Sequence, residues 1–175
     1  MLLFNRRFIT CGLFLTFVLG TSLFADAQGN SNVGIVTDEK ELVKLVPKSF
    51  YFAGQSAETQ MRNAAAARIG KDRLIIAGLV DTSGYSTEIS GKYEGFFITD
   101  SRVNFGGTEL GTGAYGFGFS SDGKVNIFDL SSKNILSTNT RSDNEMKRPR
   151  PLMMTSDGNE VRFYKGKVFV AITPK

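Results

Sequence analysis

Apolar and polar positions in this chain alternate in short bursts separated by glycine, asparagine, aspartate and serine. The clearest burst runs from Gly113 to Phe119, where Tyr115, Phe117 and Phe119 alternate with Ala114, Gly116 and Gly118. Side chains on a strand point to opposite faces in turn, so the pattern predicts one aromatic face and one almost bare face. A bare face suits close approach by another backbone or a sharp bend of the sheet. The turn Ser120-Ser121-Asp122-Gly123 follows, and Gly111 to Leu130 reads as a central β-hairpin. Met154 to Val161 nearly repeats the Phe119 to Val125 stretch, with Asp157-Gly158 in place of Asp122-Gly123. Asp-Gly is a hairpin signal because both residues tolerate the positive φ of a type I′ turn.

The remaining elements follow from the same pattern. Thr37 or Asp38 caps a short helix whose apolar side is Leu42, Val43, Leu45 and Val46, and Pro47 ends it. Ser49 to Ala53 is a strand with Phe50 and Phe52 on one face. Ser56 to Ile69 fits a helix by propensity, yet Gly70-Lys71-Asp72 is an equally good turn into Leu74 to Val80. We prefer the hairpin, which puts Ala65, Ala67 and Ile69 on one face. Leu74 to Val80 is apolar on both faces and should be a buried central strand. After a polar loop from Asp81 to Lys92 come strands at Tyr93 to Thr99 and Arg102 to Phe105, a Gly106-Gly107 turn, the central hairpin and a last strand at Val168 to Thr173. The expected fold is mainly β: an antiparallel, hairpin-built β-barrel or β-sandwich of roughly seven to nine strands with one short N-terminal helix.

Residues 1–27 change the picture of where this domain works. Arg6 and Arg7 precede an apolar run from Phe8 to Leu19, and Ala25-Asp26-Ala27 supplies small residues at a cleavage site, the layout of a secretory signal peptide. The run is short for a membrane span, which needs about 20 residues, so no transmembrane span is expected in the mature chain. Residues 28–36 read as a flexible leader and residues 37–175 as a single β-rich domain, secreted or periplasmic.

Composition removes whole classes of chemistry. The chain has one cysteine, Cys11, inside the expected signal peptide, and neither histidine nor tryptophan. A mature chain without cysteine has no disulfide and no thiol nucleophile. Without histidine there is no Ser-His-Asp triad and no histidine-held zinc. Losing Arg6, Arg7 and Asp26 lowers the net charge of +4 by one, to a mild +3. No nucleic-acid partner is expected from so small an excess.

Carboxylate chemistry survives this filter. Leu79-Val80-Asp81-Thr82-Ser83-Gly84 resembles the motif of aspartic proteases, which place Asp-Thr-Gly or Asp-Ser-Gly after a hydrophobic strand, although here the glycine comes one residue late. The resemblance implies that Asp81 would be the catalytic carboxylate, with its partner from a second subunit because no second copy of the motif exists. The alternative is a capped turn at a strand end. A glycosidase needs two carboxylates about 5 to 10 Å apart, and Asp81, Glu88, Glu94, Asp100 and Glu109 are available. Ser142-Asp143-Asn144-Glu145 is the densest oxygen cluster but lacks the spacing of a calcium loop, so neither metal nor cofactor is expected. The glycines at 111, 113, 116 and 118 sit inside a strand and do not open a helix, which excludes a phosphate loop.

The polar stretch from Ser137 to Pro151 carries Arg141, Lys147, Arg148 and Arg150, with Pro149 and Pro151 holding its end extended. Long loops inside compact domains are uncommon and often functional. These four cations are the expected ligand-binding residues, and an anionic glycan, a lipid headgroup or a protein edge is the expected partner. The expected function is therefore a non-enzymatic binding domain. The alternative is a histidine-free carboxylate hydrolase, glycosidase-like or a dimeric aspartic-protease-like enzyme.

Overall fold

The computed structural model describes residues 32–175; the expected signal peptide, Cys11 and the first residues of the expected leader lie outside the described residues. The central hairpin forms as its pattern demands. β8 (Gly113–Phe119) pairs antiparallel with β9 (Lys124–Phe128), Phe119 opposite Val125 and Gly116 opposite Phe128. Its turn is closed by the Ser120 N–H donating to the Lys124 carbonyl at 2.8 Å. The turn is not type I′, because Gly123 alone takes a positive φ of 78° and Asp122 does not. At the echo, Asp157 faces Glu160 across the loop Gly158-Asn159, and again only the glycine, at 58°, is left-handed. One left-handed residue per turn suffices, so aspartate is used here for its side chain and not for its tolerance of positive φ.

Two antiparallel sheets organise the chain. The first runs β1 (Val33–Ile35), β3 (Gln55–Ile69), β4 (Arg73–Val80), β5 (Gly95–Thr99), β8, β9 and β10 (Asn134–Asn139), with β2 (Ser49–Phe52) also paired to β3. The second runs β12 (Arg150–Asp157), β13 (Glu160–Gly166), β14 (Val168–Pro174), β6 (Val103–Phe105) and β7 (Thr108–Leu110), with β11 (Arg141–Ser142) paired to β14. Residues 56–69, open between helix and strand on local grounds, are strand: alanine propensity loses to the pairing of β3 with both β4 and β1. Helix α1 (Glu39–Leu45) is capped by the Asp38 carboxylate, which accepts from the Lys40 N–H at 2.9 Å. Leu42 and Leu45 pack inward, but Val43 is exposed.

Two apolar clusters result, one on each side of the first sheet. The inner one joins both sheets: Ala65, Ala67, Ile69, Ile75, Phe97, Phe117 and Ile127 meet Phe105, Met154, Val161, Phe163 and Ile172. Phe163 stands at its centre, its ring 5.1 Å from Phe117 and 5.8 Å from Phe97. The outer one, with Phe50, Phe52, Ala57, Ala66, Ile76, Tyr93 and Phe96, is covered by α1, β2 and the segment after β4. The bare face of β8 is filled in two ways. A methyl group at Gly116 would overlap the Phe52 ring, and one at Gly118 would overlap the Lys92 carbonyl oxygen. Backbone approach is thus confined to Gly118, and at Gly116 the space belongs to an aromatic side chain.

Several expectations need correction. The Ser137 to Pro151 stretch is not one long loop: Ser137 to Asn139 complete β10, Arg141 and Ser142 form β11, and Arg150 opens β12. Polar side chains disguised edge strands, which are polar on their exposed face. Val33 to Ile35 of the expected leader pair with Ala67 to Ile69 as β1. The polar loop after β4 contains α2 (Thr87–Ser90), capped by Ser86. Among the described residues there are fourteen strand segments, more than expected because several are two or three residues long. Among the described residues the outer edge of β10 has no partner strand, and Ile135 bulges there, exposed.

Candidate functional site

The most irregular part of the structure lies where β3 of one sheet meets β12 of the other. Along β3, Thr59 pairs with Val80 but Ala64 already pairs with Gly78, so Gln60 to Asn63 are bulged out of the ladder. The bulge inverts the strand: Ala57 packs in the outer cluster and Ala65 in the inner one, although an unbroken strand would put them on the same face. Side chains hold the distortion, with Thr59 Oγ1 donating to the Pro47 carbonyl at 2.6 Å and Gln60 Nε2 to the Val80 carbonyl at 3.0 Å. Strand β12 bulges too, between Arg150 opposite Gly166 and Met153 opposite Tyr164. Bulges re-aim side chains, and these two aim theirs into a pair of concavities.

One is a groove of about 500 Å³ between α1, β3 and β12. Leu42, Met61, Leu152 and Met153 supply its apolar surface, Arg62 and Arg150 its positive charge, and Glu39 its one carboxylate. The other is a cleft of about 550 Å³ lined by Gln60, Leu79, Thr82, Ser90, Tyr93, Glu94, Pro151 and Lys165. Its polar centre is the Glu94–Lys165 ion pair, which joins the two sheets; the second carboxylate oxygen of Glu94 accepts from the Phe119 N–H at 2.9 Å. A third concavity, about 690 Å³, is a polar dip beside the central hairpin with Ser120, Asp122, Lys124, Asn126 and Ser137.

The sequence-derived site residues separate. Arg150 lines the groove, where the structure brings it together with Arg62 from the other sheet. Arg141 lies on β11 opposite Phe169, and Lys147 and Arg148 are exposed in the turn before β12; none of these three lines a concavity described above. The segment is tied down by Asp143, whose N–H donates to the Lys167 carbonyl at 2.8 Å and whose carboxylate accepts from the Tyr164 hydroxyl at 2.9 Å. That is the work of the oxygen cluster, and among the described residues no group of three acidic, cysteine or histidine side chains could hold a metal.

Asp81 directly follows β4 and is exposed. Its carboxylate accepts from the Ser83 N–H at 3.0 Å, which holds its pKa below the ordinary 3.8. Each other candidate carboxylate also has a local partner: Glu88 pairs with Lys92, Asp100 accepts from the Leu74 N–H, and Glu109 sits between Arg102 and Lys175. Each of the three concavities has one carboxylate in its lining. Residue-level reading missed Arg62, Met61, Gln60 and Lys165. The available signal was the helix-or-strand ambiguity of residues 56–69, since a strand with a bulge loses the clean alternation that settles the choice.

Compared with family models, curated proteins and solved structures, the chain matches none of them. No helix among the described residues is long and apolar enough to cross a membrane.

Proposed function

We propose that this protein is a secreted or periplasmic binding domain, not an enzyme, and that it takes an anionic partner at the end of the molecule where β12 begins. One observation carries the reading: Arg62 and Arg150, from different sheets, line the same groove, and among the described residues neither is in an ion pair. Among the described residues Arg68, Arg102 and Arg162 are paired, and Arg73, Arg141 and Arg148, which are not, line none of the three concavities. Unpaired guanidinium groups beside an apolar surface are suited to a ligand carboxylate, phosphate or sulfate. Arg141, Lys147 and Arg148 extend the positive field beyond the groove. A single carboxylate per concavity supports binding over a two-carboxylate hydrolytic mechanism.

In this reading the sheets form a sandwich and not a closed barrel. Their facing sides share one core, and the described ladders end at β10 and β12 without joining the opposite sheet. Export rests on the layout of residues 1–27, and mass spectrometry of the secreted product should find Gln28 at its N-terminus.

The anionic reading is tested by retention on a sulfated-polysaccharide column. Arg62→Glu/Arg150→Glu should elute at clearly lower salt than Lys40→Glu/Lys44→Glu, which makes the same change of net charge on α1. Equal shifts would mean that net charge alone is sensed, and the proposed site would fall.

A further inference from the structure

The groove has a second property beyond its charge: two strand edges open onto it. Pairing of β2 with β3 ends at Glu58, and pairing of β1 with β3 begins at Ala67. Flanking backbone bonds, Thr59 N–H to Lys48 O and Val36 N–H to Ala66 O, close the two ends of this interval. Between them, from Gln60 to Ala65, that edge of β3 has no partner strand among the described residues, and α1 carries the chain past the gap from β1 to β2. Across the groove, β12 has β13 as its one partner strand among the described residues and presents its other edge. Measured along β4, from Val80 opposite Thr59 to Ile76 opposite Ala66, the gap spans four residues, about 13 Å at about 3.3 Å per residue, the length of a short strand.

We infer that the groove accepts an extended, acidic segment of another protein, which adds as a short strand in the gap between β1 and β2 and places a carboxylate between Arg62 and Arg150. The inference rests on the anion-binding reading above and names its partner class. Three features of the groove match this occupant. An open edge supplies backbone donors and acceptors, which give strand addition its affinity irrespective of sequence. Met61, Met153 and Leu42 supply an adaptable apolar surface for alternate side chains, methionine being suited to partners of varied shape. Arg62 and Arg150 select negative charge and disfavour basic segments. A purely apolar chain would leave the open backbone edge unused, so strand addition accounts for more of the surface than an acyl ligand does.

The test uses the mature protein and a pool of six-residue peptides that alternate Asp or Glu with Val, Leu, Ile or Met, followed by NMR and calorimetry. Members of the pool should bind saturably and slow amide exchange within Gln60 to Ala65. Arg62→Ala and Arg150→Ala, both at exposed positions and checked for folding by circular dichroism, should each weaken binding about tenfold. N-methylation of one alternate set of peptide amides should abolish binding while the other set is tolerated, because only one set faces the added edge. No binding by any member at millimolar concentration overturns the inference, as does equal tolerance of both methylated sets or saturation of the groove by dodecanoate in place of peptide. If those results come with arginine-dependent retention on the sulfated column, the anion-binding reading survives and the peptide partner does not.

Discussion

Gly116 and Gly118, four and two residues before the central turn, respond differently to a methyl group because their neighbours differ in stiffness. At Gly118 the obstacle is the Lys92 carbonyl oxygen, fixed by the backbone, whereas at Gly116 it is the Phe52 ring, itself stacked 3.9 Å from Tyr93. Gly116→Ala should cost about 1 to 3 kcal/mol by overpacking, and Gly118→Ala should cost more, read as a drop in urea midpoint. Equal midpoints would mean that the backbone gives way as easily as a ring. Tyr93 offers the opposite experiment. Its hydroxyl is buried near that of Tyr85, whose proton goes to the Gln55 carbonyl, and among the described residues it has no hydrogen-bond partner of its own. Tyr93→Phe should therefore leave stability unchanged or raise it. Burial, with help from Tyr85, pushes the Tyr93 pKa far above the ordinary 10.0. A raised folded value means that the native state holds this proton longer than the unfolded chain. Stability should then fall as pH rises above about 10, with Tyr93 ionising only as the protein unfolds. A near-ultraviolet titration in which every tyrosine ionises before the loss of circular dichroism would contradict this. The turn-capping role of Asp81 was legible from Asp-Thr-Ser-Gly alone, since an exposed aspartate two residues before a free N–H closes such turns wherever they occur.

At the level of elements, what a segment shows by itself was readable and what its partner imposes was not. The cap of α1, the hairpin β8–β9 and the central place of β4 all follow from local pattern. Asp38→Ala should cost about 1 kcal/mol through loss of the cap, measured by thermal unfolding. The bulge of β3 showed locally only as lost alternation, because its position exists only relative to the register of β4. Strands β10 and β11 were hidden in a polar stretch for a related reason: an edge strand shows its polarity to solvent and its pairing to nothing but its neighbour. The candidate site inherits this limit. Arg150 could be singled out from a run of cations, but Arg62 gains its meaning from a register shift in one sheet and a strand of the other.

At the scale of the whole molecule, aromatic packing outweighs charge in joining the sheets. Phe163→Ala should cost about 3 to 5 kcal/mol, since its ring meets both Phe97 and Phe117 across the core. Lys165→Met, which breaks the ion pair to Glu94 at a partly exposed site, should cost less than about 1 kcal/mol. The reverse order in denaturant titrations would make the ion pair the principal tie. Sheet order itself was beyond sequence reasoning, because hairpins announce neighbours in the chain and not the pairing of β14 with β6, some seventy residues upstream. That pairing has a consequence for how the molecule is made. Strand β14 lies between β13 and β6, so a strand made some seventy residues after β6 is an interior member of the second sheet. Until it emerges, β6 and β7 have no sheet to join, and Phe105 and Leu110 no finished core to enter. A nascent chain built in this order keeps its second sheet open until β14 is made, the condition in which a polypeptide can be threaded across a membrane before it folds.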